Sequence, residues 1–185
     1  MDLGKRIKRL RKEQRRTQDE IAEICGFTIS LLSKIENGKT TPPVSTLVKI
    51  ANALGVNVSD ILEDRTAGGP SFSTNNDNAN PDKWIKTNKG YSFLAFASEL
   101  RDKKMQPFLF RAKKGEVKQH AFSHEGEEFI YMLEGRIKYK VGQIEYTLEP
   151  GDSIYFNSLE EHMLTPITDE AIYLAVFTES KREDG

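Results

Sequence analysis

The sequence predicts two domains of different class, an all-α head of five helices followed by an all-β barrel. Three observations carry this. Up to Leu62 apolar residues recur at helical spacing, and between Asp64 and Asp82 they nearly vanish. Beyond Trp84 they return as short β-rich runs broken by glycine and proline. A length of 185 residues leaves room for two small domains.

Ile7 and Leu10 mark the first helix. Thr17 and Glu20 form a capping box, each side chain satisfying a backbone donor where the second helix starts. That helix carries Ile21, Ala22, Ile24 and Cys25, and Gly26 ends it by taking the left-handed conformation. A third helix runs from about Thr28 to Glu36 with Leu32 and Ile35 inward, and Asn37-Gly38 stops it. After Pro42-Pro43, Ser45 to Leu54 makes a fourth helix; Gly55 ends it and Ser59 caps a short fifth. The head thus takes in residues 1–64.

Residues 65–82 read as a flexible linker, with Ala67-Gly68-Gly69-Pro70 leading into Ser, Thr, Asn and Asp. The β domain takes in 83–180. Its runs are Phe108–Arg111, Phe129–Glu134, Ile137–Val141, Ile144–Leu148, Ser153–Phe156 and Ile172–Phe177. Gly115, Gly135, Gly142, Pro150-Gly151 and Pro166 separate them.

The net charge of −1 hides an asymmetry. Residues 1–64 carry 11 Lys and Arg against 9 Asp and Glu, while the remainder carries 16 against 19. Lys5, Arg6, Lys8, Arg9, Arg11, Lys12, Arg15 and Arg16 crowd into twelve residues opposed only by Glu13. Such a stripe attracts phosphate backbones or anionic lipid. Cys25 is the one cysteine, which excludes a disulfide framework and reads as a small buried hydrophobe. No apolar segment follows the basic N-terminus, and the stretches at Phe93–Ala97 and Ile172–Phe177 are too short to span a bilayer. A cytoplasmic protein with no membrane partner is expected.

The run Thr17-Gln18-Asp19-Glu20-Ile21-Ala22 to Gly26-Phe27-Thr28, then Ser33-Lys34-Ile35-Glu36-Asn37-Gly38-Lys39, resembles the Cro/lambda-repressor (XRE) family of helix-turn-helix proteins. The resemblance covers residues 4–62 and implies that the third helix enters the major groove of double-stranded DNA. It implies that Thr28, Ile29, Ser30, Ser33 and Lys34 face the groove. Gln18, Asn37 and Lys39 would meet phosphates or steady their neighbours, and Arg11 would pair with Glu36. The pattern agrees, since burying Leu32 and Ile35 leaves Ser30, Ser33, Lys34 and Asn37 outward, and an exposed Ile29 suits a thymine methyl.

Phe122-Ser123-His124-Glu125-Gly126-Glu127-Glu128 with Gly135, then Gly142, Pro150-Gly151-Asp152 and His162, resembles the two cupin motifs, giving a jelly-roll barrel. Phe122 stands where the family has its first histidine. The family's metal ligands therefore carry over to His124, Glu128 and His162 alone, two imidazoles and one carboxylate. That set suits Fe(II) with open positions and could also hold Zn, Mn or Ni. Strand alternation would turn His120, Phe122 and His124 to the interior, with His120 as a remote fourth group. The candidate effector pocket is His120, Phe122, Ile130 and Met132.

These readings predict a homodimeric transcription regulator that binds operator DNA and senses a small-molecule effector, with no catalytic residue. The alternative is an enzyme, because the His-x3-Glu-Phe spacing at His124, Glu128 and Phe129 also resembles the hydroxypropylphosphonate epoxidase, a non-haem iron enzyme. That enzyme brings a lysine from its helical domain toward the iron, and the matching position here is Arg15.

Overall fold

The computed structural model describes residues 3–63, 70–74, 78–100 and 103–178. Residues 65–69 and 75–77 of the expected linker, and 179–180 of the expected β domain, lie outside the described residues. The chain forms two compact units, one built on the five helices and one on the strands.

The helices are α1 (Leu3–Glu13), α2 (Gln18–Cys25), α3 (Ile29–Glu36), α4 (Val44–Leu54) and α5 (Val58–Leu62). Thr17 and Glu20 make the expected capping box, and Gly26 closes α2 with φ of 69°. Ile7, Ile21, Leu32, Leu47, Ile50 and Ile61 are wholly buried and form the core of the head. Each such side chain contributes about 1.5–3 kcal/mol against leaving it in water. α1 meets the end of α3 at Gly4, where an added Cβ would lie 2.2 Å from the carbonyl oxygen of Ile35. Two expectations are corrected. The N-cap of α5 is Asn57, whose backbone N–H donates to Asp60 at 2.8 Å, while Ser59 is buried inside the helix. α4 begins one residue earlier than expected, at Val44, directly after Pro43.

A short 3₁₀ turn, Pro81–Lys83, precedes the strands, and Trp84 behind it donates its indole N–H to the Asn78 carbonyl at 2.8 Å. The strands are β1 (Ile85–Lys86), β2 (Tyr91–Ala95), β3 (Met105–Lys113), β4 (Glu127–Glu134), β5 (Ile137–Val141), β6 (Ile144–Leu148), β7 (Ser153–Asn157), β8 (His162–Pro166) and β9 (Glu170–Thr178). β1, β2 and β8 are additions to the runs read from sequence. Among the described residues the strands make two sheets, ordered β1-β2-β3-β9-β4-β7 and β6-β5-β8, instead of one closed barrel. The Pro150-Gly151 turn carries the chain from the edge of the small sheet to the edge of the large one, and β6 and β7 do not pair.

Alternation builds the interior. On β3 Phe108, Phe110 and Ala112 are buried, on β4 Glu128, Ile130 and Met132, and on β9 Ala171, Tyr173, Ala175 and Phe177. The rings interlock, Phe110 stacking on Tyr173 at 5.0 Å. Glu128 lies opposite Phe177 in register, so a carboxylate is set among aromatic side chains.

Candidate functional site

The first candidate surface is on α3. Thr28 caps the helix, its hydroxyl accepting from the Leu31 N–H at 3.2 Å. Burial of Leu32 and Ile35 turns Ile29, Ser30 and Lys34 to the outside and leaves Ser33 half-buried. Ile29 is 47% exposed, an apolar side chain held in water on an otherwise polar face. Asn37 donates to the Ser33 carbonyl at 2.8 Å and to its hydroxyl at 3.3 Å, and Lys39 is exposed just beyond the helix end.

Behind this face lies a buried ion pair. The Arg11 guanidinium donates to Glu36 through Nε at 2.5 Å and Nη2 at 2.9 Å, and Nη1 reaches the Arg16 carbonyl at 2.8 Å. Gln18 donates to the second Glu36 oxygen at 2.7 Å. Gln18 therefore steadies its neighbours, and α1, α2 and α3 are tied through one carboxylate. The bond to Glu36 holds the Arg11 pKa above its ordinary value. Arg6 is buried as well, donating to the carbonyls of Ile61 and Leu62. Two of the eight basic residues in the N-terminal stripe thus serve the interior, and Lys5, Arg9, Lys12 and Arg15 are the exposed ones. Cys25 is buried, and burial pushes its thiol up to about 12.

The second candidate lies between the sheets. His124, Glu128 and His162 are all buried and their ligand atoms lie within 4.8 Å of one another. Glu128 Oε2 is 3.6 Å from His124 Nε2 and 3.5 Å from His162 Nε2. The outer nitrogens are tied back: Nδ1 of His124 meets the Glu125 carbonyl at 3.1 Å, and Nδ1 of His162 meets the Glu160 carbonyl at 2.8 Å. A carbonyl only accepts, so each Nδ1 carries a proton, and in a neutral ring Nε2 then presents a lone pair. Burial lowers the His162 pKa against the opposing pull of Glu128, which keeps that ring neutral. Three acceptors therefore converge with no donor between them. His124 Nε2 and Glu128 Oε2 have no hydrogen-bond partner among the described residues. A divalent cation satisfies all three at once, and the donors fit one.

Aromatic rings surround the cluster. His162 lies 6.0 Å from Phe122, 5.1 Å from Phe156 and 6.3 Å from Tyr139 between ring centroids. Phe122 also exchanges two backbone hydrogen bonds with His162, at 2.8 and 2.9 Å, which fixes the start of β8. Burial and the Glu128 carboxylate, to which its hydroxyl is hydrogen-bonded, push the Tyr139 phenol well above its usual range. Tyr139 was missed in the sequence reading, although it alternates with Ile137 on β5. Ile130 and Met132 face inward beside Glu128 as expected. His120 is corrected: it is exposed, stands outside the donor cluster, and packs edge-on against Phe122 at 5.1 Å. The segment around it is not a strand, so the alternation that would have turned it inward does not operate.

Residues 7–61 match the helix-turn-helix family model and residues 108–177 the cupin domain model. The HTH-type transcriptional regulator PuuR of Escherichia coli is 28% identical over 156 residues, covering 84% of this chain and 82% of that protein. The crystal structure of an HTH_3 family transcriptional regulator from Vibrio cholerae superposes with a TM-score of 0.73 at 21% identity, over 97% of this chain and 96% of that one. Iron(II) HppE shares the fold at a TM-score of 0.50 and 21% identity, over 95% and 97% of the two chains. No helix among the described residues is long and apolar enough to cross a membrane. The chain belongs to the Cro/lambda-repressor-type (XRE) helix-turn-helix transcriptional regulators that carry a C-terminal cupin domain.

Proposed function

We propose that this regulator works in the cytoplasm as a homodimer on operator DNA, and that its cupin domain senses a small-molecule effector beside a bound divalent metal. Thr28, Ile29, Ser30, Ser33 and Lys34 read base edges, and Asn37 and Lys39 meet the backbone. Gln18 acts by fixing Glu36 behind them. His124, Glu128 and His162 hold the metal, which supplies open positions for an effector atom. Phe122, Ile130 and Met132 line the apolar side of that pocket, and His120 stands at its edge.

The observation that carries the sensing half is the set of three converging acceptors, with Nε2 of His124 and Oε2 of Glu128 left unsatisfied. An unpaired buried polar atom costs about 1–3 kcal/mol, so the arrangement favours an occupant. The same donor set favours a second reading, an iron oxygenase. One set of measurements separates them. Purified chain is expected to carry one equivalent of divalent metal that a chelator removes and that His162→Ala fails to hold. A metabolite screen is then expected to find a compound that shifts DNA affinity without oxygen uptake by the Fe(II)-loaded chain. Substrate-dependent oxygen uptake that Glu128→Ala abolishes would establish the oxygenase instead.

A further inference from the structure

Ser158 is wholly buried, and its hydroxyl has no hydrogen-bond partner among the described residues. Six buried side-chain atoms share that condition there, and three of them are Nε2 of His124, Oε2 of Glu128 and Oγ of Ser158. The chain brings these three residues to one place. Glu128 lies opposite Phe156 in register, and Ser158 follows Phe156 by two residues, with exposed Asn157 between them. Alternation therefore turns Ser158 to the inward side that Phe156 and Glu128 share. Its backbone N–H donates to the Gly126 carbonyl at 3.0 Å, and its carbonyl accepts from the His124 N–H at 2.9 Å. Ser158 thus stands across from the segment that carries His124 and Glu128, beside a glycine with no side chain to answer its hydroxyl. Ser123 differs, since its hydroxyl donates to the Leu159 carbonyl at 3.1 Å. We propose, resting on the reading that His124, Glu128 and His162 hold a divalent cation, that Ser158 selects the ligand of this site. Its hydroxyl donates to one oxygen of a monocarboxylate whose other oxygen the cation takes.

Hydrogen-bond capacity and charge both lead there. The Tyr139 phenol is already engaged with Glu128, so the Ser158 hydroxyl is a donor left for an occupant. A divalent cation and one carboxylate leave a single net positive charge among the rings of Phe122, Phe156 and Phe177. A buried charge is costly unless it is paired, and one anionic ligand cancels this one. A carboxylate does so while presenting two oxygens, one for the cation and one for the hydroxyl, and a charged acceptor strengthens that hydrogen bond. The surroundings limit the ligand to one such group. Glu125, Glu127, Glu160 and Glu161 are exposed within two residues of His124, Glu128 or His162, and segments 122–128 and 156–162 hold no Lys or Arg. On β5 Lys140 lies opposite Met163 and alternates with the inward Tyr139, so it faces away. The four glutamates stand in water, where salt screens them beyond about 8 Å, so they leave the buried charge unbalanced. They repel a second negative group at the far end of a ligand, whereas the aromatic walls suit a short apolar tail.

The test uses the full chain, stripped with a chelator and reloaded with Co(II), whose visible spectrum reports the groups around the ion. Butyrate and succinate are titrated into the wild type, Ser158→Ala and Ser123→Ala. Butyrate is expected to change the wild-type spectrum saturably, and succinate to bind more weakly. Ser158→Ala is expected to raise the butyrate dissociation constant about 10-fold or more, through the loss of a hydrogen bond to a charged acceptor. Its Co(II) affinity should be unchanged, and Ser123→Ala should match the wild type throughout. The melting temperature of metal-free Ser158→Ala is expected to equal or exceed that of the wild type, because the hydroxyl it removes has no partner to lose. A lower melting temperature would mean a partner within the protein and would overturn the proposal. So would unchanged butyrate affinity in Ser158→Ala, an equal loss in Ser123→Ala, or succinate bound as tightly as butyrate. Absence of Co(II) uptake by the wild type would defeat the metal reading and the proposal with it. Co(II) uptake without any butyrate response would defeat the proposal alone.

Discussion

Glu36 shows how one side chain organises the head, because it accepts from both Arg11 and Gln18 while fully buried. Removing one partner of a buried pair strands the other charge. Glu36→Ala is therefore expected to cost about 3 kcal/mol or more, read as a fall in the denaturant midpoint of the head, whereas Lys34→Ala on the outer face should leave stability unchanged. The pairing was legible because the family pattern implies it. The depth of the arginines was not, since charge counting is blind to direction. Yet Arg11 follows Ile7 by four residues, and the spacing that buries one buries the other. At the His124–Glu128–His162 cluster the sign of a pH effect follows from His162, whose ordinary value is 6.5 and whose folded value is lower. As pH falls below 6.5 the unfolded chain takes up a proton that the folded chain refuses, so stability is lost on acidification. Thermal unfolding of the metal-free chain is expected to move to lower temperature between pH 7 and 5, and His162→Gln should flatten that slope.

Among the elements, α3 was legible almost whole, because its cap, its inward pair Leu32 and Ile35, and its stop at Asn37 are all encoded locally. Lys34→Ala is expected to weaken specific DNA binding by about 1–3 kcal/mol in a mobility-shift titration, with the fold intact. The strands that escaped notice are those whose identity depends on distant partners. β8 pairs with β5, and its first residue is held by Phe122, far back in the chain. β1 has only two residues and exists because β2 lies beside it. His120 failed for the converse reason: a period of two means nothing where no strand continues, and only Phe122 in that segment makes a bridge.

For the whole molecule, the division into a helical and a β unit was legible from the change in apolar spacing across a polar stretch, whereas the two-sheet arrangement was not. Closure depends on whether the free edges of the two sheets, β1 and β7 on one and β6 and β8 on the other, pair, and nothing in these segments states a partner. Limited proteolysis is expected to cut first within 65–82 and to leave a resistant β fragment starting near Lys83, as exposed polar segments are nicked first. Early cuts inside the β unit would contradict that boundary. Cys25, buried and with its thiol pushed up to about 12, has a further bearing on what the regulator can respond to. Burial disfavours the thiolate there, and the thiolate is the form that peroxides and electrophiles attack. The chain has no second cysteine to form a bridge with it. Burial thus shields the one thiol of the head, and an iron ion held by His124, Glu128 and His162 would be a separate redox-active group in the β unit.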